Sequence, residues 1–185
     1  MPVLLVSGSL RGGSYNAALL RAAADALPRG VGHAWLGGIA ALPPYTEDDD
    51  GGHAPAAVTR LRRAIAAAEA VLIATPEYNG SIPGGLKNVV DWASRPFPAN
   101  ALRGKPVAVI GASTGLFGAV WAQAELRKAL GIAGARVLDA ELAVGTADDA
   151  FSPSGTLCDP ALAAGLRDVV AALVDAVAPE QRAAA

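Results

Sequence analysis

Cysteine is almost missing from this chain: Cys158 stands alone among 185 residues. That excludes an internal disulfide and a cysteine-based metal cluster, and it points to the reducing cytoplasm. Histidine is nearly as scarce. His33 and His53 lie well apart in the sequence, so no histidine-based metal centre is expected. Charge of one sign is also lacking. Fifteen Lys and Arg against seventeen Asp and Glu leave a formal net of −2, which excludes nucleic-acid binding through a broadly basic surface. No apolar run approaches the roughly 20 residues needed to span a membrane. The opening run Val3-Leu4-Leu5-Val6 has no basic flank and meets Gly8 almost at once, so it reads as a buried strand and not as a signal peptide. What is abundant is small and apolar: 52% of the residues are hydrophobic and only 5% are aromatic. Such a chain builds one sizeable core. Redox chemistry, if it has any, must be borrowed from a cofactor.

The apolar runs alternate with helical patterns. Strands are expected at Val3–Val6, Val31–Leu36 (the weakest), Val71–Ala74 and Val107–Ile110, with a fifth beginning at Arg136–Leu138. Between them lie helical periodicities from Ser14 to about Leu27, from Pro55 to Glu69, from Leu86 to Ala93 and from Ala119 to Leu130. A last helix carries Leu162, Leu166, Val169, Val170, Leu173 and Val177. The stretch from Leu42 to Gly52 holds two prolines and the acidic run Glu47 to Asp50, so it is a loop. Strands that are apolar throughout are buried on both faces, and βα alternation implies a parallel sheet covered by helices on both sides. No composition shift argues for a second domain. The expected domain covers residues 1–178, and residues 179–185 form a frayed tail.

In such sheets ligands bind beyond the carboxyl ends of the strands, where the strand order reverses. For a 2-1-3-4-5 order, the loops after strands one, three and four meet there. The first, Gly8-Ser9-Leu10-Arg11-Gly12-Gly13-Ser14-Tyr15-Asn16, combines glycines, short hydroxyl and amide donors, a guanidinium and a helix N-terminus. That is the chemistry of a phosphate site. It is neither a Walker A loop nor the Gly-x-Gly-x-x-Gly fingerprint, and an ordinary serine-capped turn is the competing reading. The second, Thr75-Pro76-Glu77-Tyr78-Asn79-Gly80-Ser81, suits the edge of a flat heterocycle. The third, Gly111-Ala112-Ser113-Thr114-Gly115-Leu116-Phe117-Gly118, has small residues that let a ring lie against backbone.

Three segments together resemble the NAD(P)H-dependent FMN reductase family, a flavodoxin-like group that also includes chromate and quinone reductases. They are Gly8-Ser9-Leu10-Arg11-x-x-Ser14-x-Asn16, the run from Pro76 through Asn88, and Gly111-Ala112-Ser113-Thr114-Gly115. The resemblance continues through Asp91 to Pro96 and the Pro43-Pro44-Tyr45 loop, and covers roughly residues 3 to 175. It implies a three-layer α/β sandwich with a five-stranded parallel sheet. It further implies FMN as cofactor, NADPH or NADH as co-substrate, a small-molecule electron acceptor, and a homodimer or homotetramer with the helix from Leu86 to Trp92 at the interface. Ser9, Arg11, Ser14, Tyr15 and Asn16 would hold the FMN phosphate and its surroundings. Pro76, Glu77, Tyr78 and Asn79 would line the isoalloxazine edge, and Ser113, Thr114 and Gly115 would complete the site. The flavin would carry the hydride, so no catalytic side chain is assigned. Trp121 departs from the family pattern, which has arginine there. A flavodoxin-type electron carrier and a flavin-free member of the fold are the rival readings. The remaining reactive residues have structural readings: His33 and His53 at the surface, Cys158 as a half-buried thiol, Glu47 to Asp50 as a solvated acidic loop, and Trp92 and Trp121 in packing or subunit contacts.

Overall fold

The computed structural model describes residues 2–51 and 54–183. His53 lies outside them. Five parallel strands, β1 (Pro2–Ser7), β2 (Gly32–Trp35), β3 (Ala70–Thr75), β4 (Pro106–Ala112) and β5 (Arg136–Val144), form one sheet in the order β2-β1-β3-β4-β5. This is the flavodoxin-like doubly wound order. The helices are α1 (Tyr15–Asp25), α2 (Ala56–Ala67), α3 (Gly84–Ala93), α4 (Val120–Ile132), the short α5 (Ala147–Ala150) and α6 (Pro160–Ala183). The last of these runs on through Pro179, and residues 184–185 lie outside the described part.

The unbroken apolar runs follow from burial on two faces. Successive strand side chains point to opposite sides, and the core divides accordingly. Val3, Leu5, Leu72 and Ile110 pack with α1 and α6. Leu4, Val6, Val71, Ile73, Val107 and Val109 pack with α2, α3 and α4. The two edge strands differ: β2 is exposed along its length and β5 is only partly buried. Each edge strand has a neighbour on one side only, so its sequence carries fewer apolar residues, such as Asp139 and Glu141 in β5.

Three readings of the sequence are refined here. Cys158 is exposed and not half-buried, because it follows the bridge pairing Phe151 with Leu157 and leaves the core there. Asp50 is not solvated with its neighbours: its carboxylate pairs with Arg62 at 2.6 Å, while Glu47, Asp48 and Asp49 are exposed. Trp92 is fully buried on α3, and its indole N–H donates to the Pro43 carbonyl at 2.8 Å. Asn88 donates to the same carbonyl and accepts from the Tyr45 N–H, so α3 pins the Pro43–Tyr45 loop. Among the described residues, no group of three or more His, Cys, Asp or Glu could hold a metal ion. None of the described helices is long and apolar enough to cross a membrane.

Candidate functional site

Close backbone approaches draw the three loops together. Gly8 N–H donates to the Ala74 carbonyl at 2.8 Å, and a Cβ on Gly8 would sit 2.7 Å from Leu86 Cδ2. A Cβ on Gly111 would sit 2.9 Å from the Thr75 carbonyl and 2.8 Å from Gln123 Nε2. Only glycine lets the ends of β1, β3 and β4 converge this tightly.

The convergence leaves a cleft of about 420 Å3 lined by Ser9, Arg11, Ser14, Tyr15, Asn16, Pro76, Glu77, Tyr78, Ala112, Ser113 and Thr114. Ten of the twelve residues expected from the sequence are among these, and they come from all three loops. Asn79 and Gly115 are not. Asn79 (φ 55°) and Gly80 (φ 72°) form the left-handed centre of a two-residue hairpin in which Tyr78 and Ser81 exchange backbone hydrogen bonds. Gly115 is held away by its own bonds, with its N–H donating to Ser113 Oγ and its carbonyl accepting from the Thr146 N–H. Ala112, absent from the sequence expectation, lines the cleft because it ends β4 against α1.

The side chains divide into cleft-facing donors and internal braces. Ser14 is the N-cap of α1: its Oγ accepts from the Ala17 N–H, which leaves the hydroxyl hydrogen to donate elsewhere. The N–H groups of the first turn have no intrahelical partner and point toward the same loop. Arg11 is exposed, with its guanidinium carbon 5.7 Å from the Tyr15 ring centroid. The other neighbour of Tyr15 is Phe151, stacked at 5.7 Å between centroids. A second groove of about 380 Å3 lies between α1 and the Phe151–Gly155 segment and shares Ser14 and Tyr15 with the cleft.

Asn16 and Glu77 are braces. Asn16 is 3% exposed; its Nδ2 donates to the Ala112 carbonyl and its Oδ1 accepts from the Ala112 N–H, both at 2.9 Å. The side chain thus ties the start of α1 to the end of β4. Glu77 Oε2 accepts from the N–H groups of Trp121 and Ala122, each at 3.1 Å, and so caps α4 from the neighbouring loop. Glu77→Ala is expected to lower stability by about 0.5–2 kcal/mol, the usual cost of a lost N-cap. Amide exchange at Trp121 and Ala122 should accelerate with it, and unchanged exchange there would refute the capping role.

A second carboxylate reinforces the tether. Glu125 Oε2 accepts from Ser81 Oγ at 2.5 Å and from the Ile82 N–H at 3.3 Å. The Ser81 hydroxyl, then the Ile82 N–H, hold the Glu125 carboxyl below its ordinary value of 4.5. A depressed carboxyl contributes stability above its unfolded pKa and loses it as pH falls through the folded value. The tether is therefore expected to hold at neutral pH and to release as pH falls below the usual carboxylate range. Amide exchange at Ile82, followed against pH in wild type and Glu125→Gln, would show this; a variant with the wild-type pH profile would rule it out.

The cleft's chemistry fits FMN. Its hydroxyls, guanidinium and helix N-terminus are donors suited to a phosphate dianion. Its one carboxylate, Glu77, is bonded to α4 and so withdrawn from the ligand.

Comparison with known proteins agrees. Residues 1–149 match the model of the family described as NADPH-dependent FMN reductase. The NAD(P)H-dependent FMN reductase PA1204 of Pseudomonas aeruginosa is 46% identical over 158 residues, 85% of this chain and 84% of its own length. A quinone reductase of Escherichia coli is 39% identical over 142 residues, 75% of this chain and 74% of its own. Among solved structures, FerB, a flavoenzyme NAD(P)H:(acceptor) oxidoreductase from Paracoccus denitrificans, superposes with a TM-score of 0.86 at 37% identity. That match covers 96% of this chain and 97% of FerB.

Proposed function

Because the chain belongs to the NADPH-dependent FMN reductase family, we propose that the three-loop cleft holds FMN, with its phosphate at the α1 N-terminus and its ring against the loops after β3 and β4. The protein is an NAD(P)H-dependent oxidoreductase that passes reducing equivalents to a small acceptor, and the acceptor class proposed is a quinone. The observation that carries the reading is the convergence of Ser9, Arg11, Ser14, Tyr78 and Ser113, from three separate loops, on one donor-rich cleft. Relatives described as FMN and quinone reductases support the enzyme over a flavodoxin-type carrier.

When bound, FMN would supply the redox chemistry between NAD(P)H and the acceptor. The chain's own residues bind and position. The Ser9 and Ser14 hydroxyls and the Tyr15 and Asn16 N–H groups at the start of α1 would donate to the phosphate oxygens, and Arg11 would offset their charge. The Tyr78 hairpin, fixed on α4 through Glu77, Ser81 and Glu125, sets the wall at the ring edge. The lining residues are assigned binding and positioning roles, and no covalent step on a side chain is part of the reading. The protein works in the cytoplasm as a homodimer or homotetramer. The exposed Phe97 and Ile132 beside the α3–α4 groove support an interface there.

Purified protein is expected to carry FMN and to oxidise NADPH or NADH in the presence of 1,4-benzoquinone. Bound flavin without turnover on any acceptor would restore the carrier reading. Protein that binds no FMN would overturn the assignment altogether.

A further inference from the structure

The cleft is polar, but its mouth is not. Leu10 follows Ser9 on the first loop and is 61% exposed. Tyr78, on the hairpin, is 52% exposed. Phe117 and Trp121 flank the turn into α4, and their rings meet edge to face with centroids 5.1 Å apart. That contact leaves them 58% and 52% exposed. The pair's backbone adjoins the cleft, because the Trp121 N–H donates to the carboxylate of Glu77, a lining residue. Phe117 lies three residues beyond Thr114, another lining residue. Four large exposed side chains thus come from the segments that adjoin a donor-rich cleft, and the rings of two of them pack on each other. Exposed apolar side chains grouped beside polar residues are a feature of ligand-binding surfaces.

We propose that the Phe117–Trp121 pair is the acceptor-selecting element of the site, a platform that favours planar aromatic acceptors over inorganic oxyanions such as chromate. Trp121 is its principal surface. An aromatic acceptor gains offset or edge contact with the indole and sheds apolar hydration as it enters. A small hydrated oxyanion gains neither. The inference rests on the functional reading above and adds to it the side chains that choose the acceptor.

The test uses FMN-loaded protein carrying Trp121→Ala, Trp121→Phe or Phe117→Ala. Trp35→Ala serves as a control, removing an exposed aromatic side chain from the edge strand β2, which contributes nothing to the cleft lining. The readouts are the Kd of 1,4-naphthoquinone for the oxidised protein by calorimetry, kcat/KM for naphthoquinone and for chromate, and molar mass in solution. Trp121→Ala is expected to raise the naphthoquinone Kd about 2–10-fold, the range of one aromatic contact. It should lower the naphthoquinone-to-chromate ratio of kcat/KM by a similar factor, Phe117→Ala should do so less, and Trp121→Phe should largely restore both. Three results would each overturn the proposal: an unchanged Kd, an equal loss with both acceptors, or a change in molar mass, which would make the pair a contact between copies. Failure of NADPH to bleach the bound FMN of wild-type protein without oxygen would strike the functional reading instead.

Discussion

Replacing Arg11 with alanine is expected to weaken FMN binding by about 1.5–3 kcal/mol, the usual worth of a hydrogen bond to a charged group. That corresponds to a rise in Kd of about 10–150-fold. Arg11 has no structural duty that would confuse the result. It is exposed, and the one described contact of its side chain is the guanidinium over the Tyr15 ring. The apoprotein should therefore unfold at nearly the wild-type temperature while its FMN titration, followed by flavin fluorescence, shifts to higher concentration. Arg11→Lys should recover part of the affinity, because it restores the charge without the two-pronged donor geometry. The wild-type Kd should also rise with salt more steeply than that of the alanine variant. Ser14→Ala is a less clean probe. Its oxygen caps α1 through the Ala17 N–H, so both helix and ligand lose a partner. Unchanged FMN affinity in Arg11→Ala would move the phosphate away from this loop.

Asn16→Ala should destabilise the fold itself, by about 2–5 kcal/mol. The substitution strands both the N–H and the carbonyl of Ala112, and each buried unpaired group costs about 1–3 kcal/mol. The pair at 2.9 Å and 2.9 Å is inaccessible to water, with Asn16 3% exposed. Asn16→Asp is expected to be no remedy. It restores the acceptor for the Ala112 N–H but sets a carboxylate oxygen against the Ala112 carbonyl, with burial opposing the charge. Urea unfolding of the apoprotein measures the loss directly. A midpoint within experimental error of wild type would show that water or a rotated backbone satisfies Ala112, and the brace would not exist. Because the brace joins the phosphate loop to the end of β4, the FMN Kd should rise as well.

The two variants separate residues that the sequence alone presents as equivalents. Arg11 and Asn16 stand five positions apart in one loop rich in donors, and both read as ligand contacts. In the fold, Arg11 faces solvent at the cleft and Asn16 spends both polar atoms on Ala112, 96 positions away. Glu77 shows the same division. Its place in the Pro76-Glu77-Tyr78-Asn79 run suggests a flavin edge, yet its carboxylate caps a helix that begins more than forty residues later. Local spacing reports which residue types are present. It carries no record of which distant backbone group each one meets.

Architecture was far more legible. Val3–Val6, Val71–Ala74 and Val107–Ile110 announce themselves because strands buried on both faces must be apolar at every position. The edge strands were fainter because one side of each has no strand to meet, and the exposure of β2 and β5 bears that out. Nothing in the residues marks α5 or the groove between α1 and the Phe151–Gly155 segment. Four helical residues have too little period to detect, and a groove belongs to no single segment.

The scarcity of cysteine and histidine, the doubly wound βα order and the three glycine- and serine-rich loops all belong to the sequence. So does the implication that a borrowed flavin carries the electrons. These are matters of composition and period, set by what each segment must bury. Which donors face the cleft, which brace the loops, and that the rings of Phe117 and Trp121 meet were decided only when the chain folded. The glycines at 8 and 111 let strands far apart in sequence end within contact of one another, and a side chain's partner depends on that meeting.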